Sequence, residues 1–249
     1  MKIYTLVSLF LLTLCIKTNA AAPPPLAKDP QVKQQVLSTI DALQHSQYFS
    51  IEAAPNESLF IHDNYVSMTL EEDTAEIYNG IRSELVFNNP YLEEDELEYR
   101  FQIRFEEGFD QNLSFYWWLF AQWHDQPDRN LGETWINFPS NSPPVSLALK
   151  SKSDLLGIAL LINGNFYYWQ EIETYRWYDI AFNIKWSTEE TGEVTYCIDG
   201  NCHPKIIERN MLNHYQHYFK IGQYRNRNTT SKNTISIKEI KITNINITN

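Results

Sequence analysis

In Asp179-Ile-Ala-Phe-Asn-Ile-Lys-Trp186 the large apolar side chains fall on every second residue. Ile180, Phe182, Ile184 and Trp186 share one face, and Asp179, Ala181, Asn183 and Lys185 share the other. Such a segment is a half-buried strand, and it needs a second apolar layer to cover it. Short runs of this kind, punctuated by turns, recur at 99–105, 114–123, 146–149, 155–162, 165–169, 193–198, 218–225 and 236–242. So many strands in one domain predict an all-β, jelly-roll-like sandwich of two sheets.

The N-terminus follows a different pattern. Lys2 precedes an apolar run over 3–16, and Thr18 and Ala20 supply the small residues of a cleavage site before Ala21. The run is shorter than the roughly 20 residues that span a bilayer, so a removable signal peptide over 1–20 is expected, with the product secreted or periplasmic. A Pro/Ala linker over 21–28 leads to Asp29, which can cap a helix with Pro30 at its first position and Val32, Val36, Ile40 and Leu43 on one face. The expected division is therefore signal peptide 1–20, linker and short helix 21–55, and sandwich 56–249.

Charge narrows the partners. Lys and Arg number 20 against 31 Asp and Glu, a net charge of −11, made two units more negative if Lys2 and Lys17 leave with the signal. Nucleic acid and anionic membranes need clustered cations to replace counterions, so neither is an expected partner, and a monomer is expected. Without Cys15 the chain keeps Cys197 and Cys202, on either side of the tight-turn dipeptide Asp199-Gly200; a hairpin disulfide is predicted, and no metal site. Asp and Glu are plentiful but form no EF-hand-like run, which leaves a structural calcium ion open.

Three strand segments place polar, reactive residues at i, i+2 spacing. They are Arg82 and Glu84 in 81–85, Gln122 and His124 in 121–125, and Tyr218, Lys220, Tyr224 and Asn226 in 218–226. A sandwich strand normally sets apolar residues against indifferent polar ones, so a face rich in Arg, Gln, His, Lys and Tyr is expected to form the floor of a groove. Singly, each has a bland alternative: a solvated histidine, a strand-forming tyrosine, a protected edge. Together they fit β-elimination on a uronic acid polymer. The C5 proton is weakly acidic, so the carboxylate must be neutralised by a cation or amide, for which Arg82, Gln122 and Lys220 are suited. His124 and Tyr224 can then divide the removal of that proton and the protonation of the leaving O4, without a cofactor.

The segments Arg82-Ser-Glu-Leu85, Gln122-Trp-His124 and Tyr218-Phe-Lys-Ile-Gly-Gln-Tyr224 resemble the signature strands of jelly-roll polysaccharide lyases, alginate lyases among them. Gln122-Trp-His-Asp-Gln-Pro-Asp128, Pro143-Pro144, Trp186, Asp199-Gly200 and the strand from Lys220 to Arg225 extend the resemblance, over about residues 60–241, to the heparin lyase I-like family that includes glucuronan lyases. The resemblance implies a concanavalin A-like jelly roll acting on an acidic polysaccharide. It also implies His124 as general base, Tyr224 as general acid and Lys220 as the charge-neutralising residue. Arg82 and Gln122 would bind the substrate carboxylate and Glu84 would orient Arg82; the shared strand spacing, not the resemblance, adds Tyr218 and Asn226 to the residues expected to bind substrate. The acidic charge and the lack of a basic insertion argue against heparin itself.

Two other classes compete: a carbohydrate-binding sandwich without turnover, and a jelly-roll glycoside hydrolase. Glu93-Glu-Asp-Glu-Leu-Glu98 matches the Glu-x-Asp-x-x-Glu spacing of jelly-roll β-glucanases, whose carboxylates lie on a strand with apolar residues between them. Here charged residues intervene, and the run reads as a solvated turn ahead of the strand at 99–105.

Overall fold

The computed structural model describes residues 35–36, 49–53, 58–78, 80–88, 90–106, 108–109, 116–139 and 141–245. In chain order the strands are β1 (Gln35–Val36), β2 (Phe49–Ala53), β3 (Leu59–Ile61), β4 (Val66–Leu70), β5 (Glu76–Ile77), β6 (Gly80–Phe87), β7 (Glu96–Phe105), β8 (Trp118–His124) and β9 (Val145–Lys152). They continue as β10 (Leu155–Ile162), β11 (Asn165–Glu171), β12 (Trp177–Lys185), β13 (Glu193–Ile198), β14 (Asn201–Cys202), β15 (Ile206–Ile207), β16 (Tyr218–Arg225) and β17 (Asn233–Asn244).

Among the described residues these strands form two antiparallel sheets. One runs β14-β13-β12-β7-β17-β4-β3, with β1 on β17 and β15 on β13; the other runs β11-β10-β9-β8-β16-β6-β2, with β5 on β6. Strands distant in sequence are neighbours in each sheet, which is the crossover pattern of a jelly-roll sandwich. Alternation explains the layering. In β12 the buried residues include Ile180, Phe182 and Ile184, and they face a core shared with Trp118, Phe120, Trp123, Phe101, Ile103 and Phe219. Aromatic edges and faces interlock there: Trp123 lies 4.7 Å from Phe182 and 4.8 Å from Phe219, ring centroid to centroid.

The predicted spans 155–162, 193–198 and 218–225 coincide with β10, β13 and β16. The expected 114–123 strand is observed as Trp118–His124, and residues 111–115 lie outside the described set. The N-terminal expectations need correction. Most of the helix predicted from Asp29 falls outside the described residues, and the two residues that are described, Gln35 and Val36, pair as a strand with Ile242 and Lys241. The sandwich also starts earlier than residue 56, because β2 pairs with β6 from Phe49↔Phe87 to Ala53↔Ser83. Strand β7 begins at Glu96, three residues ahead of the expected start, because its pairing with β12 runs to Lys185↔Glu96.

The predicted disulfide between Cys197 and Cys202 is present and closes the β13–β14 hairpin. Asp199 and Gly200 both adopt positive φ, 50° and 77°, as a two-residue turn between twisted strands requires.

Candidate active site

The candidate residues come from three adjacent strands, β6, β16 and β8, at the middle of one sheet. Cross-strand registers pair Arg82 with Tyr224, Gln122 with Lys220, and His124 with Tyr218. Phe219 and Ile221 of β16 and Trp123 of β8 point into the core, so the alternate residues Tyr218, Lys220, Tyr224, Gln122 and His124 share the opposite face. Both β8 and β16 carry a bulge, which removes ladder steps between the His124 end of this strip and the Tyr224 end. The β16 bulge contains Gly222 at φ +151°, where an added Cβ would sit 2.2 Å from the Ser83 carbonyl oxygen, so no side chain fits there.

A buried charge network floors the strip. Glu84 is fully buried and accepts from Arg82 Nη1 at 3.2 Å and, through its other oxygen, from Gln122 Nε2. Glu52 of β2, a residue the sequence reading assigned to the linker and helix segment, accepts from Arg82 Nη1 at 3.0 Å and from Lys220 Nζ at 2.8 Å through the same Oε2. Two cations therefore meet two carboxylates. Burial pushes the Glu84 carboxyl upward while Lys220 and Arg82 pull it back. For Glu52 the balance falls the other way: burial acts to raise it, but Lys220 and Arg82 prevail and hold it below the usual carboxylate range. Burial also works against the charge on Lys220, yet Tyr218, Glu84 and Glu52 outweigh it, so the ammonium is held above its ordinary pKa.

These contacts tie down two residues expected to bind the substrate carboxylate. Arg82, expected to bind a substrate carboxylate, has a side chain only 5% exposed, as has Lys220. Besides Glu52 and Glu84 it donates to the Ile77 and Tyr78 carbonyl oxygens. Its guanidinium also lies 3.7 Å from the Tyr224 ring centroid, so Arg82 packs on Tyr224 while donating four hydrogen bonds within the protein. Gln122, likewise buried, gives its amide to Glu84. The expected salt bridge from Glu84 to Arg82 is present. Asn226 lies just past β16, where its Oδ1 accepts from the Asn228 amide and holds a turn.

His124 is 21% exposed, enough to meet a ligand. Its Nδ1 lies 2.8 Å from the Asp125 carbonyl oxygen and 2.8 Å from the Asp125 carboxylate. Both neighbours are acceptors, so the tautomer they select carries its proton on Nδ1 and its lone pair on Nε2. Asp125 is buried, which raises its carboxyl, but hydrogen bonds from His124 and from Asn141 Nδ2 at 3.0 Å outweigh that and keep it ionised. Asp125 falls inside the 122–128 segment that carries the family resemblance, whereas Asn141 has no sequence signal; Asn141 holds Asp125, and Asp125 holds His124.

Tyr218 stacks beside His124, ring centroids 5.8 Å apart, and burial pushes its hydroxyl up to about 12. Tyr224 is also raised by burial, with Arg82 pulling down; its hydroxyl donates to the Tyr78 carbonyl at 3.1 Å and its ring meets Trp117 at 4.5 Å. Both phenols are therefore neutral donors near neutrality. The Glu93–Glu98 run is not a carboxylate pair on this strip. Glu93 binds Thr188 and His214, Asp95 caps the Leu92 amide, and Glu98 pairs with Arg100 at 2.8 Å. Among the described residues no group of three or more His, Cys, Asp or Glu could hold a metal ion, and no helix is long and apolar enough to cross a membrane.

A two-sheet jelly roll with histidine, tyrosines and lysine aligned across its central strands is the plan of carbohydrate-active sandwiches. A family model described as polysaccharide lyase matches residues 57–241, and the chain belongs to that family. No curated protein matches the sequence. Among solved structures, the chain is similar to the endo-β-1,4-glucuronan lyase of the fungus Trichoderma reesei, at 14% identity and TM-score 0.59, covering 80% of this chain and 92% of that one. It is also similar to the alginate lyase Aly36B, at 14% identity and TM-score 0.56 over 87% and 94% of the two chains. The marine PL7 alginate lyase AlyA1 from Zobellia galactanivorans shows 12% identity and TM-score 0.55 over 82% and 87%. At these identities the likeness is one of fold.

Proposed function

We propose that this polysaccharide lyase is exported and cleaves a uronic acid-containing polysaccharide by β-elimination on the β6–β16–β8 strip. The observation that carries the reading is His124: its Nδ1 is committed to Asp125, which leaves the Nε2 lone pair on the strip face, with the Tyr218 ring stacked beside it. His124 Nε2 removes the C5 proton, and the electrons form the C4–C5 double bond. The C4–O4 bond breaks, and O4 leaves with its electron pair and takes a proton from Tyr224. Lys220 has three N–H donors and gives one to Glu52, so it retains donors for the uronate carboxylate as charge develops there. The glucuronan and alginate lyases of similar fold support an acidic polysaccharide as substrate. The disulfide and the N-terminal apolar run support export.

The test is incubation with glucuronan and with alginate while following the ultraviolet absorbance of the unsaturated uronate. A lyase gives a rising signal, a hydrolase gives reducing ends without it, and a binding module gives neither. On the substrate that is cleaved, His124→Ala and Tyr224→Phe are each expected to lower kcat by about 10²-fold or more with the fold unchanged. Tyr218 is the phenol that stacks on His124. Full activity in Tyr224→Phe with loss in Tyr218→Phe would transfer the acid role to Tyr218.

A further inference from the structure

The face that carries the strip continues across β9, β10 and β11. Register takes it from Gln122 to Ser146 of β9, then through the pairs Ala148↔Ala159 and Lys150↔Gly157 to Trp169 of β11, which pairs with Ala159. Besides Leu161, opposite Ser146, and Lys150, opposite Gly157, this face carries the small residues Ser146, Ala148, Ala159 and Gly157. Trp169 folds back over the last of them. A Cβ on Gly157 would meet three indole atoms at 2.2, 2.4 and 2.5 Å, so the ring lies directly on the Gly157 backbone. Its Nε1 donates to the Lys150 carbonyl at 3.1 Å, one strand nearer the strip. One face of the indole and its only donor are therefore used by the sheet, and the ring remains partly exposed. Lys152 Nζ stands 5.7 Å from the ring centroid; the exposed carboxylates at this end include Glu171, opposite Gly157, and Asp154 in the β9–β10 turn.

We propose that Trp169 and Lys152 form a distal subsite for the acidic polysaccharide, resting on the reading of the strip given above. The C–H face of a sugar ring stacks on the indole, and Lys152 meets a uronate carboxylate. Two observations point to this occupant. An aromatic ring laid on a glycine, with its polar edge tied down, is a rigid platform that costs little to order. Lysine beside it, in a chain of net charge −11, gives this rim local complementarity to a polyanion. The ring lies over β10 and β9, and on β9 Lys150, which takes its N–H, is four residues along the strand from Ser146, the partner of Gln122, about 13 Å at about 3.3 Å per residue. Only a chain several sugars long reaches both His124 and Trp169, so the subsite makes cleavage depend on substrate length.

The experiment compares the polymer with its trisaccharide. In Trp169→Ala the ratio of polymer to trisaccharide kcat/KM is expected to fall about tenfold, with partial recovery in Trp169→Phe, the scale of one aromatic stacking contact. Lys152→Gln is expected to lower the ratio about threefold and to reduce its salt dependence. Equal losses on polymer and trisaccharide, or an unchanged ratio in a variant with native thermal unfolding, would overturn the subsite. Retardation in gels containing alginate or glucuronan reads the same contact without turnover. Wild type retarded more than Trp169→Ala supports the subsite even where no uronan is cleaved, and equal retardation overturns it.

Discussion

Arg82 and Glu84 on β6 and Glu98 and Arg100 on β7 are the same chemistry at the same spacing: an arginine and a glutamate two residues apart on one strand face. Their separations are also alike, 3.2 Å and 2.8 Å. Their surroundings differ. The Arg82 and Glu84 side chains are 5% and 0% exposed, whereas those of Arg100 and Glu98 are 53% and 23% exposed. Water screens the second pair, which adds little to stability beyond local order. The first pair has lost its water and must be balanced within the protein, which Glu52, Lys220 and Gln122 accomplish. A pair of this kind reports a site; its exposed counterpart reports only a surface.

The largest effect expected from this contrast follows Arg82→Ala. Removing one partner leaves Glu84 buried without its guanidinium, and destabilisation of about 3–5 kcal/mol is expected in urea or thermal unfolding. A loss under 1 kcal/mol would mean that the network is not buried in solution.

Acid separates the two regions next. Burial holds the pKa of His217, next to the strip on the approach to β16, down to about 4 from 6.5, so the ring is neutral in the folded state. The unfolded chain binds that proton first. Its contribution is therefore complete above pH 6.5 and is lost as pH falls toward 4, about 3 kcal/mol in all. Stability measured across this range should slope in wild type and flatten in His217→Gln; an equal slope in both would assign it elsewhere.

Glu52→Gln should be milder, because Glu52 is partly exposed. A loss of about 1–2 kcal/mol is expected at neutral pH. The Glu52 carboxyl titrates below the usual carboxylate range, so its contribution is full above that range and vanishes as pH falls through its own lower pKa. The variant and wild type should thus converge in strong acid. The smallest effect belongs to Arg100→Ala, within about 0.5 kcal/mol at any of these pH values. A larger loss there would erase the contrast between β6 and β7.

Much of this was legible in the chain itself. Period-two alternation sets the strands, since a one-residue slip would turn Ile180, Phe182 and Ile184 out of the core, and Asp199-Gly200 sets both the hairpin and the reach of its disulfide. The i, i+2 spacing also puts Gln122 with His124, and Tyr218 with Lys220, on one face, because strand geometry is local. What spacing does not contain is the identity of cross-strand neighbours. Glu52 meets Lys220 across 168 residues, and Asn141 reaches Asp125 through a long connection. Trp169 finds its seat on Gly157 only because β11 pairs with β10 in one register. Burial likewise belongs to the assembled sheets: Glu84 and Glu52 enclose Arg82, Gln122 and Lys220 in one network that no spacing along the chain announces. Local covalent geometry fixes which side chains share a face; the tertiary structure decides which of them keep water and which must be balanced by a buried partner.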